Sequence, residues 1–284
     1  MKGSAFAPAH ITGFFAVRPH IDPVKAGSIG CGLCLEAGVR AEIDMNSPAS
    51  AVTLNGKQVD FPTLEHVLTE TLGTDRPPIT VNLTSDIRPG FGFGVSGAAA
   101  LATGLAAAEV YAAGISRQEI AAAAHCAEVL NRTGMGDVAG QCAGGLVMRT
   151  APGAPGVGVT QQIPATSSEI SWVCLGEIST ASILAEEETM QRVNEMGEKA
   201  LKMLQKRPEL EHFMSLSRQF AVETGLISSL ALDAVEAVEA QGGMASMAML
   251  GDTVFALGVV EALHEFGEVG RSRIGFVAAH SLKS

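Results

Sequence analysis

The sequence predicts an α+β protein in two halves, and three observations indicate this. Alternating apolar and small residues over 3–17, and again over 33–44, are typical of β-strands. A glycine-rich loop then runs directly into an alanine-rich helix at 97–111. A stretch rich in Gly and Pro, residues 150–166, separates this part from a second half that starts with a strand and continues mainly as helices.

The composition describes a globular protein with a large core. Apolar residues make up 47% of the 284 residues and charged residues 17%, so no long disordered segment is expected. The formal net charge of −11 argues against nucleic acid as a partner, because neutralising phosphates requires a basic surface. The N-terminus lacks the apolar core of a signal peptide, which predicts a cytoplasmic protein. The oligomeric state stays open, a homodimer included.

The first elements contain two residues whose roles the pattern leaves open. A strand over 3–17 is predicted to be interrupted by a short turn at Pro8 to His10, where His10 is either packed or a substrate contact. A second glycine-rich turn, 22–32, leads into a strand pair over 33–44. Within it, Ser28 belongs either to a substrate loop or to a bulged hairpin.

The cysteines are expected to be thiols. Cys31 and Cys34 form a C-x-x-C pair, but a structural zinc needs two more ligands, and no second pair supplies them. Five cysteines in a chain of this size do not make a disulfide framework.

Helices and strands then alternate up to the loop and beyond it. Apolar residues on one face predict a helix over 61–72 that stops at Gly73, and 79–83 reads as a strand. Ser116-x-x-Glu119 is a capping box, which starts a helix running to Arg132 and ending at Gly134. His125 and Glu128, three residues apart, share a face of that helix. Later elements are a strand over 170–178, helices over 181–206, 208–223 and 226–240, and a closing strand over 274–280.

The loop from Pro89 to Gly97 predicts a phosphate site. Its four glycines place no Cβ against an anion, and they permit the positive φ angles that turn successive N–H groups inward. Ser96 adds a hydroxyl. The helix that follows directs its unpaired first-turn N–H groups and its positive dipole end to the same point.

Three alternatives apply to this loop. Residues 92–97 match G-x-G-x-x-G, but the dinucleotide fingerprint requires a strand running straight into it, and Arg88-Pro89 interrupts the entry. A Walker loop is excluded because no Gly-Lys-Ser/Thr follows. The uncharged run 91–108 is long enough to span a membrane, yet its Ala and Gly content favours a buried helix.

The stretch most resembles the second motif of the GHMP kinases, P-x-x-x-G-L-G-S-S-A-A, which stands here as Pro89 to Ala99 with Gly97 in place of one serine. A G-x-D element follows and contains Asp137, which could otherwise simply cap a turn between glycines. The Met-rich run 241–257 resembles the third motif in the form found in archaeal pantoate kinases. The first motif matches weakly, at Pro8 and Gly13.

The resemblance implies a two-lobed GHMP kinase fold. Its N-terminal lobe, 1–160, would be ribosomal-S5-domain-2-like, and its C-terminal lobe, 161–284, would be ferredoxin-like. It also implies transfer of phosphate from ATP to the primary hydroxyl of pantoate, giving 4-phosphopantoate on the route to coenzyme A. Other acceptors (homoserine, mevalonate or a sugar) and a non-catalytic nucleotide-binding module stay open as alternatives.

The resemblance assigns roles residue by residue. Asp137 would be the catalytic base, and Ser96 and Glu128 would hold Mg²⁺. Ser28, His125 and Arg149 would bind pantoate. ATP would be bound by Pro89, Gly90, Gly92, Gly94, Val95, Ser96, Gly97 and Ala98. The residues alone indicate less: a phosphate-binding, Mg²⁺-dependent protein with two carboxylates near the loop.

Overall fold

The computed structural model describes residues 2–44, 49–111, 114–176 and 187–282. In these ranges two β-sheets are packed with helices, so the predicted α+β class is confirmed. The strands are β1 Lys2–Arg18, β2 Gly27–Asp44, β3 Ala51–Leu54, β4 Lys57–Gln58, β5 Thr80–Ser85, β6 Leu146–Ala151, β7 Val159–Ile163, β8 Glu169–Gly176, β9 Ala245–Ala248, β10 Asp252–Leu257, β11 Val269–Arg273 and β12 His280–Ser281. The helices are α1 Pro62–Leu72, α2 Val95–Tyr111, α3 Arg117–Asn131, α4 Asp137–Ala143, α5 Glu187–Lys206, α6 Leu210–Thr224 and α7 Ser229–Ala240, with a 3₁₀ turn at Glu261–Glu265.

The first sheet is built on the long antiparallel hairpin of β1 and β2. Its order is β12-β1-β2-β5-β3-β4, and β6 pairs with the N-terminal half of β2 and with β7. The predicted turn at Pro8 to His10 is wrong, because β1 runs through it with only a shift of register. The predicted glycine-rich turn ends early, since β2 already begins at Gly27. Residues 33–44, predicted as a strand pair, belong to this one strand.

The second sheet has the order β11-β8-β10-β9 and is antiparallel. The predicted closing strand over 274–280 is wrong, since the strand lies at Val269–Arg273. Ile274 makes an isolated bridge to Leu35, and the Gly275 N–H donates to the Cys34 carbonyl at 2.9 Å. The chain therefore crosses to the first sheet where the closing strand was expected.

Helix α2 forms the centre of the molecule and is nearly all buried, packing on β1, β2, α1 and α3. The small residues of α2 permit this close packing. A Cβ at Gly104 would lie 2.6 Å from Ile120 and 2.7 Å from Val67, too close for any side chain. The uncharged run 91–108 thus belongs to the core, and no helix in the described ranges is long and apolar enough to cross a membrane.

The other predicted helices agree well, with two differences. The capping box of Ser116 and Glu119 is present, but α3 ends at Arg132 in a left-handed conformation rather than at Gly134. The predicted start of the helix after β8, at Ala181, lies outside the described residues. The division into lobes at 160/161 stays a prediction, and that position falls inside β7, a strand of the first sheet.

Candidate active site

A cleft of about 800 Å³ opens at the N-terminus of α2. The glycine-rich loop forms one wall, and the end of α3 with the start of α4 forms another. Met190 and Asn194 of α5 and the turn at Met249–Leu250 also line it. The cleft therefore brings together the three segments that the sequence singled out: the loop, the Asp137 element and the Met-rich run.

The loop has the backbone geometry that an anion site requires. Gly90, Gly92 and Gly94 have φ of 91°, 80° and 59°, a region that favours glycine. Two loop carbonyls are held by the protein: Phe93 O accepts from the His10 N–H at 2.9 Å, and Gly94 O accepts from the Gln141 amide at 2.8 Å. Helix α2 starts at Val95, so its free first-turn N–H groups follow directly.

Glu128 lies buried beneath this loop with one oxygen satisfied and one not. Its Oε1 accepts from Ser96 Oγ at 2.5 Å and from Thr133 Oγ1 at 2.6 Å. Its Oε2 is buried and has no hydrogen-bond partner among the residues that the structure describes. Burial raises the pKa of Glu128 to about 7, against the two hydroxyl hydrogen bonds, which lower it. An unpartnered carboxylate oxygen in such a place suits a cation.

Asp137 begins α4 and keeps contact with the cleft. Its Oδ1 lies 2.7 Å from His10 Nδ1 and accepts a long hydrogen bond from Thr12 Oγ1 at 3.4 Å. Burial acts to raise the pKa of Asp137, but the hydrogen bond and charge of His10 and the charge of Arg149 outweigh it and leave the pKa below its usual value. Asp137 is therefore ionised at neutral pH and held in one orientation.

The two carboxylates face a common point. A Cβ built at Gly134 would contact Glu128 Oε2 and would lie 3.1 Å from Asp137 Oδ2. Only a residue without a side chain leaves this space empty. The described residues contain no cluster of three or more His, Cys, Asp or Glu that could hold a metal, so a cation here would need further oxygens from a ligand or water.

Arg149 is a buried cation whose hydrogen-bonding groups are largely unused. It is 2% exposed, and its Nε and Nη1 have no partner in the part of the chain that the structure describes. Strand β6 places it opposite Gly30 of β2. A Cβ at Gly136 would lie 2.6 Å from Arg149 Nε and 2.5 Å from Ser28 Oγ, so the guanidinium and this hydroxyl flank the residue before Asp137.

A second cavity of about 220 Å³ adjoins the cleft. Ser28, Met135 and Arg149 line both spaces, and the loop 153–158 covers the smaller one. Arg149 is thus accessible to a small anion from the cleft or from this recess.

His125, predicted to contact the acceptor, does not line the cleft. Its Nε2 pairs with the Ala26 carbonyl at 2.8 Å, and burial lowers its pKa. The spacing on α3 is as predicted, but the ring turns to the segment before β2 rather than to the cleft. His125 therefore supports the backbone that leads to Ser28.

The other predicted site residues are at the cleft or next to it. Pro89, Gly90, Gly92, Gly94, Val95 and Ser96 line it; Gly97 and Ala98 continue into buried α2. Thr12, Thr133 and Gln141 were not among the predicted site residues. Gln141, four residues after Asp137 on α4, is the one that helical spacing could have identified. His10, expected to be either packed or a substrate contact, is fully buried, does not line the cleft and lies 2.7 Å from Asp137 Oδ1, so it is packed.

The two cysteines of the C-x-x-C pair lie in the core. Cys31 and Cys34 are both fully buried and free, and burial raises the pKa of each thiol far above its usual value. A thiol in this state is a poor nucleophile and a poor metal ligand.

Comparison with known proteins identifies similar sequences over most of the chain. Residues 62–145 match the family described as GHMP kinases N terminal domain. The pantoate kinase of Thermococcus kodakarensis is 38% identical over 262 residues, covering 89% of this chain and 86% of that protein. The pantoate kinase of Methanocaldococcus jannaschii is 34% identical, covering 92% and 94%.

Solved structures agree with the sequence matches. A structure described as a phosphotransferase related to the CoA biosynthesis pathway has a TM-score of 0.87 at 32% identity and covers 99% of both chains. A homoserine kinase from Cytophaga hutchinsonii has a TM-score of 0.68 at 16% identity, covering 99% of this chain and 97% of that one. The second likeness concerns the fold alone.

Proposed function

Because this chain belongs to the GHMP kinase family and groups with its pantoate kinases, we propose that it phosphorylates the primary hydroxyl of pantoate, giving 4-phosphopantoate. ATP is the phosphoryl donor in this family. We place the reaction in the cytoplasm, on the route to coenzyme A. The observation that carries the choice of acceptor is Arg149, a buried cation with unused N–H groups that lies against Gly136, the residue before Asp137.

Arg149 suits a carboxylate acceptor. A guanidinium pairs with a carboxylate through two parallel N–H donors, and burial strengthens such a bond. An arginine left unpaired in the protein interior is costly, so a ligand that satisfies it gains affinity. Ser28, beside it, can hydrogen-bond the carboxylate or the neighbouring hydroxyl of pantoate. A neutral sugar would leave the unused N–H groups of the guanidinium without a carboxylate to bind.

Asp137 is proposed as the base. The hydroxyl oxygen of the acceptor attacks the γ-phosphorus, the bond from this phosphorus to the bridging oxygen breaks, and ADP leaves with that electron pair. The hydroxyl proton passes to Asp137. His10 and Thr12 occupy Asp137 Oδ1, which leaves Oδ2 for the acceptor. In-line positioning and charge neutralisation supply most of the remaining acceleration.

The residues present fit Mg²⁺. Glu128 Oε2 is buried and unpartnered, and Ser96 Oγ lies beside the same carboxylate, so both would serve as oxygen ligands with phosphates and waters. The ion would neutralise charge on the phosphates. The loop 90–97 would hold those phosphates through backbone N–H groups, because it contains no lysine.

An acceptor screen tests this function. ADP release would be measured with pantoate, homoserine, mevalonate and galactose as acceptors. We expect pantoate to be preferred in kcat/KM by far. If one of the other three is preferred, the protein is a kinase with a different acceptor. If ATP binds but no acceptor is phosphorylated, the protein is a non-catalytic nucleotide-binding module.

Arg149→Ala provides the second test. The pantoate KM should rise strongly while ATP affinity changes little, because Arg149 lies on the acceptor side of Asp137. If the free energy of unfolding falls and the pantoate KM does not change, Arg149 has a structural role only.

A further inference from the structure

Arg132 has an unusual backbone conformation at the edge of the cleft. It ends α3 with φ of 56° and ψ of 33°, in the left-handed region that side chains with a Cβ rarely adopt. Asn55, Arg132 and Leu250 are the non-glycine residues with positive φ in the described ranges. Glycine is the usual residue at such a helix end. Residues with strained backbones cluster at ligand sites, where their side chains often have a function.

The helix end itself does not require an arginine. The turn lets the Thr133 N–H reach the Glu128 carbonyl at 3.0 Å and places Thr133 Oγ1 on Glu128 Oε1. These bonds use the backbone of Arg132 and none of its side-chain atoms. Glycine would form the same turn with less strain. Arg132 is exposed and lines the cleft, and its side chain has no hydrogen bond or ion pair to any described residue.

The described residues that line the cleft offer few positive charges to a polyphosphate. The loop across from Arg132 carries no lysine, and the two carboxylates in the cleft, Glu128 and Asp137, would repel a polyphosphate. The only arginine besides Arg132 among the described cleft-lining residues is Arg149, which is buried next to Asp137. Arg132 comes four residues after Glu128 at the end of the same helix, and both residues line the cleft.

We propose that Arg132 binds the phosphate chain of the nucleotide, as a cation that the strained end of α3 holds at the mouth of the cleft. A guanidinium there offsets the negative charge that one Mg²⁺ leaves on the triphosphate. This inference rests on the proposed kinase function for its ligand, and it does not depend on which acceptor is used.

Direct titration of ATP, without acceptor, tests the proposal on three variants. Arg132→Asn removes the charge and keeps a residue that tolerates positive φ, Arg132→Gly also relieves the backbone, and Arg132→Lys retains the charge. We expect ATP affinity to fall about ten- to hundredfold in the Asn and Gly variants and to be largely kept in the Lys variant. The thermal midpoint of Arg132→Gly should equal or exceed that of the parent.

Lys57→Asn is the matched control, because it removes one exposed positive charge on β4, away from the cleft. It should leave ATP affinity unchanged. Raising the ionic strength should reduce the difference in ATP affinity between the parent and Arg132→Asn, since salt screens an exposed charge. Unchanged ATP affinity in both Asn and Gly variants would overturn the proposal and leave Arg132 as a cation that only complements the dipole of α3. Because no acceptor is present, a wrong assignment of pantoate cannot produce that result.

Discussion

Asp137 is held by two hydrogen bonds on one oxygen, so replacing it by Asn should change chemistry more than binding. Asp137→Asn keeps the shape of the side chain and removes the base. We expect kcat to fall by roughly 10²–10⁴, the usual contribution of general-base catalysis, with both substrates bound near parental affinity. Single-turnover measurement of phosphoryl transfer tests this, with Asp233→Asn, exposed on α7, as the control. A loss below about tenfold would mean that Asp137 only orients the alcohol or caps its turn.

Glu128 gives the free protein a pH dependence with a defined sign. Its pKa is about 7 in the folded state, against an ordinary value of 4.5. Between pH 4.5 and 7 the carboxyl group of Glu128 is ionised in the unfolded chain and protonated in the folded protein. Its contribution to the free energy of unfolding is therefore complete below pH 4.5 and is lost as pH rises through 7. Burial of the ionised carboxylate then costs on the order of 3 kcal/mol.

Glu128→Gln should therefore flatten the fall in stability between pH 5 and 8. Chemical denaturation across this range, without metal or nucleotide, is the measurement. We also expect the variant to need more Mg²⁺ for turnover, since it lacks the charged ligand. If the parent and Glu128→Gln lose stability in parallel, the carboxylate is not the group responsible.

The contacts of individual side chains are the feature that the sequence predicts least well. The position of Asp137 and Glu128 after a phosphate loop predicts both as site residues, and both lie at the cleft. The ring of His125 could not be oriented from helical spacing, because spacing defines a face and not which neighbour on that face accepts the hydrogen bond. The pairing of His10 with Asp137 joins residues far apart in the chain, and no local pattern encodes it.

At the scale of elements, the glycine-rich loop and α4 interlock. A Cβ at Gly94 would lie 3.0 Å from Asp137 Cβ and Cγ, in addition to the strain of a φ of 59°. Gly94→Val should thus abolish ATP binding and also displace the base, while the fold stays intact. Calorimetric titration of ATP and circular dichroism would measure the two effects.

Gly56→Ala is the matched control for backbone strain. Its φ of 77° is comparable, but a Cβ there meets nothing within 4 Å. It should lower stability by about 1 kcal/mol and leave ATP affinity unchanged. Retained ATP affinity in Gly94→Val would remove the loop from the proposed phosphate site.

Helices were more predictable than strands for a physical reason. The capping box at Ser116 and the stop at Gly73 are local signals, and both appear as expected. Strand ends depend on partners distant in sequence. Residues Pro8 to His10 look like a turn when read alone, yet β2 supplies a partner on both sides of the bulge, so the strand continues. Residues 274–280 look like a strand, but the chain leaves its sheet there.

At the scale of the whole molecule, α5 lies against β1 and contributes Met190 and Asn194 to the cleft. Close approach depends on Gly197, where any Cβ would overlap the Phe15 carbonyl oxygen. Asn194 Oδ1 accepts from the Val17 N–H at 2.7 Å, which holds the helix in register with the strand. Arg18 of β1 also pairs with Glu198 of the same helix at 2.5 Å, so close packing at one glycine and two side-chain hydrogen bonds position the cleft wall.

Gly197→Ala should destabilise the protein by about 1–3 kcal/mol through overpacking, despite the better helix propensity of alanine. Because the wall must shift, we also expect the KM of the acceptor to rise. Denaturant unfolding and steady-state kinetics measure both, with Gly176→Ala as control, where a Cβ meets only ordinary contacts at 3.5 Å and beyond. An unchanged or raised stability of Gly197→Ala would show that α5 and β1 are not in close contact at this glycine.

The pairing of β12 with β1 affects how the protein is made. Phe6 lies opposite His280, and the Leu282 N–H donates to the Ser4 carbonyl, so segments far apart in sequence share one edge of the first sheet. During synthesis that edge stays open until residues 280–282 have left the ribosome, while β1 and β2 are already able to pair. A nascent chain stalled before residue 280 would present an uncovered strand edge, which is a template for aggregation and a target for chaperones.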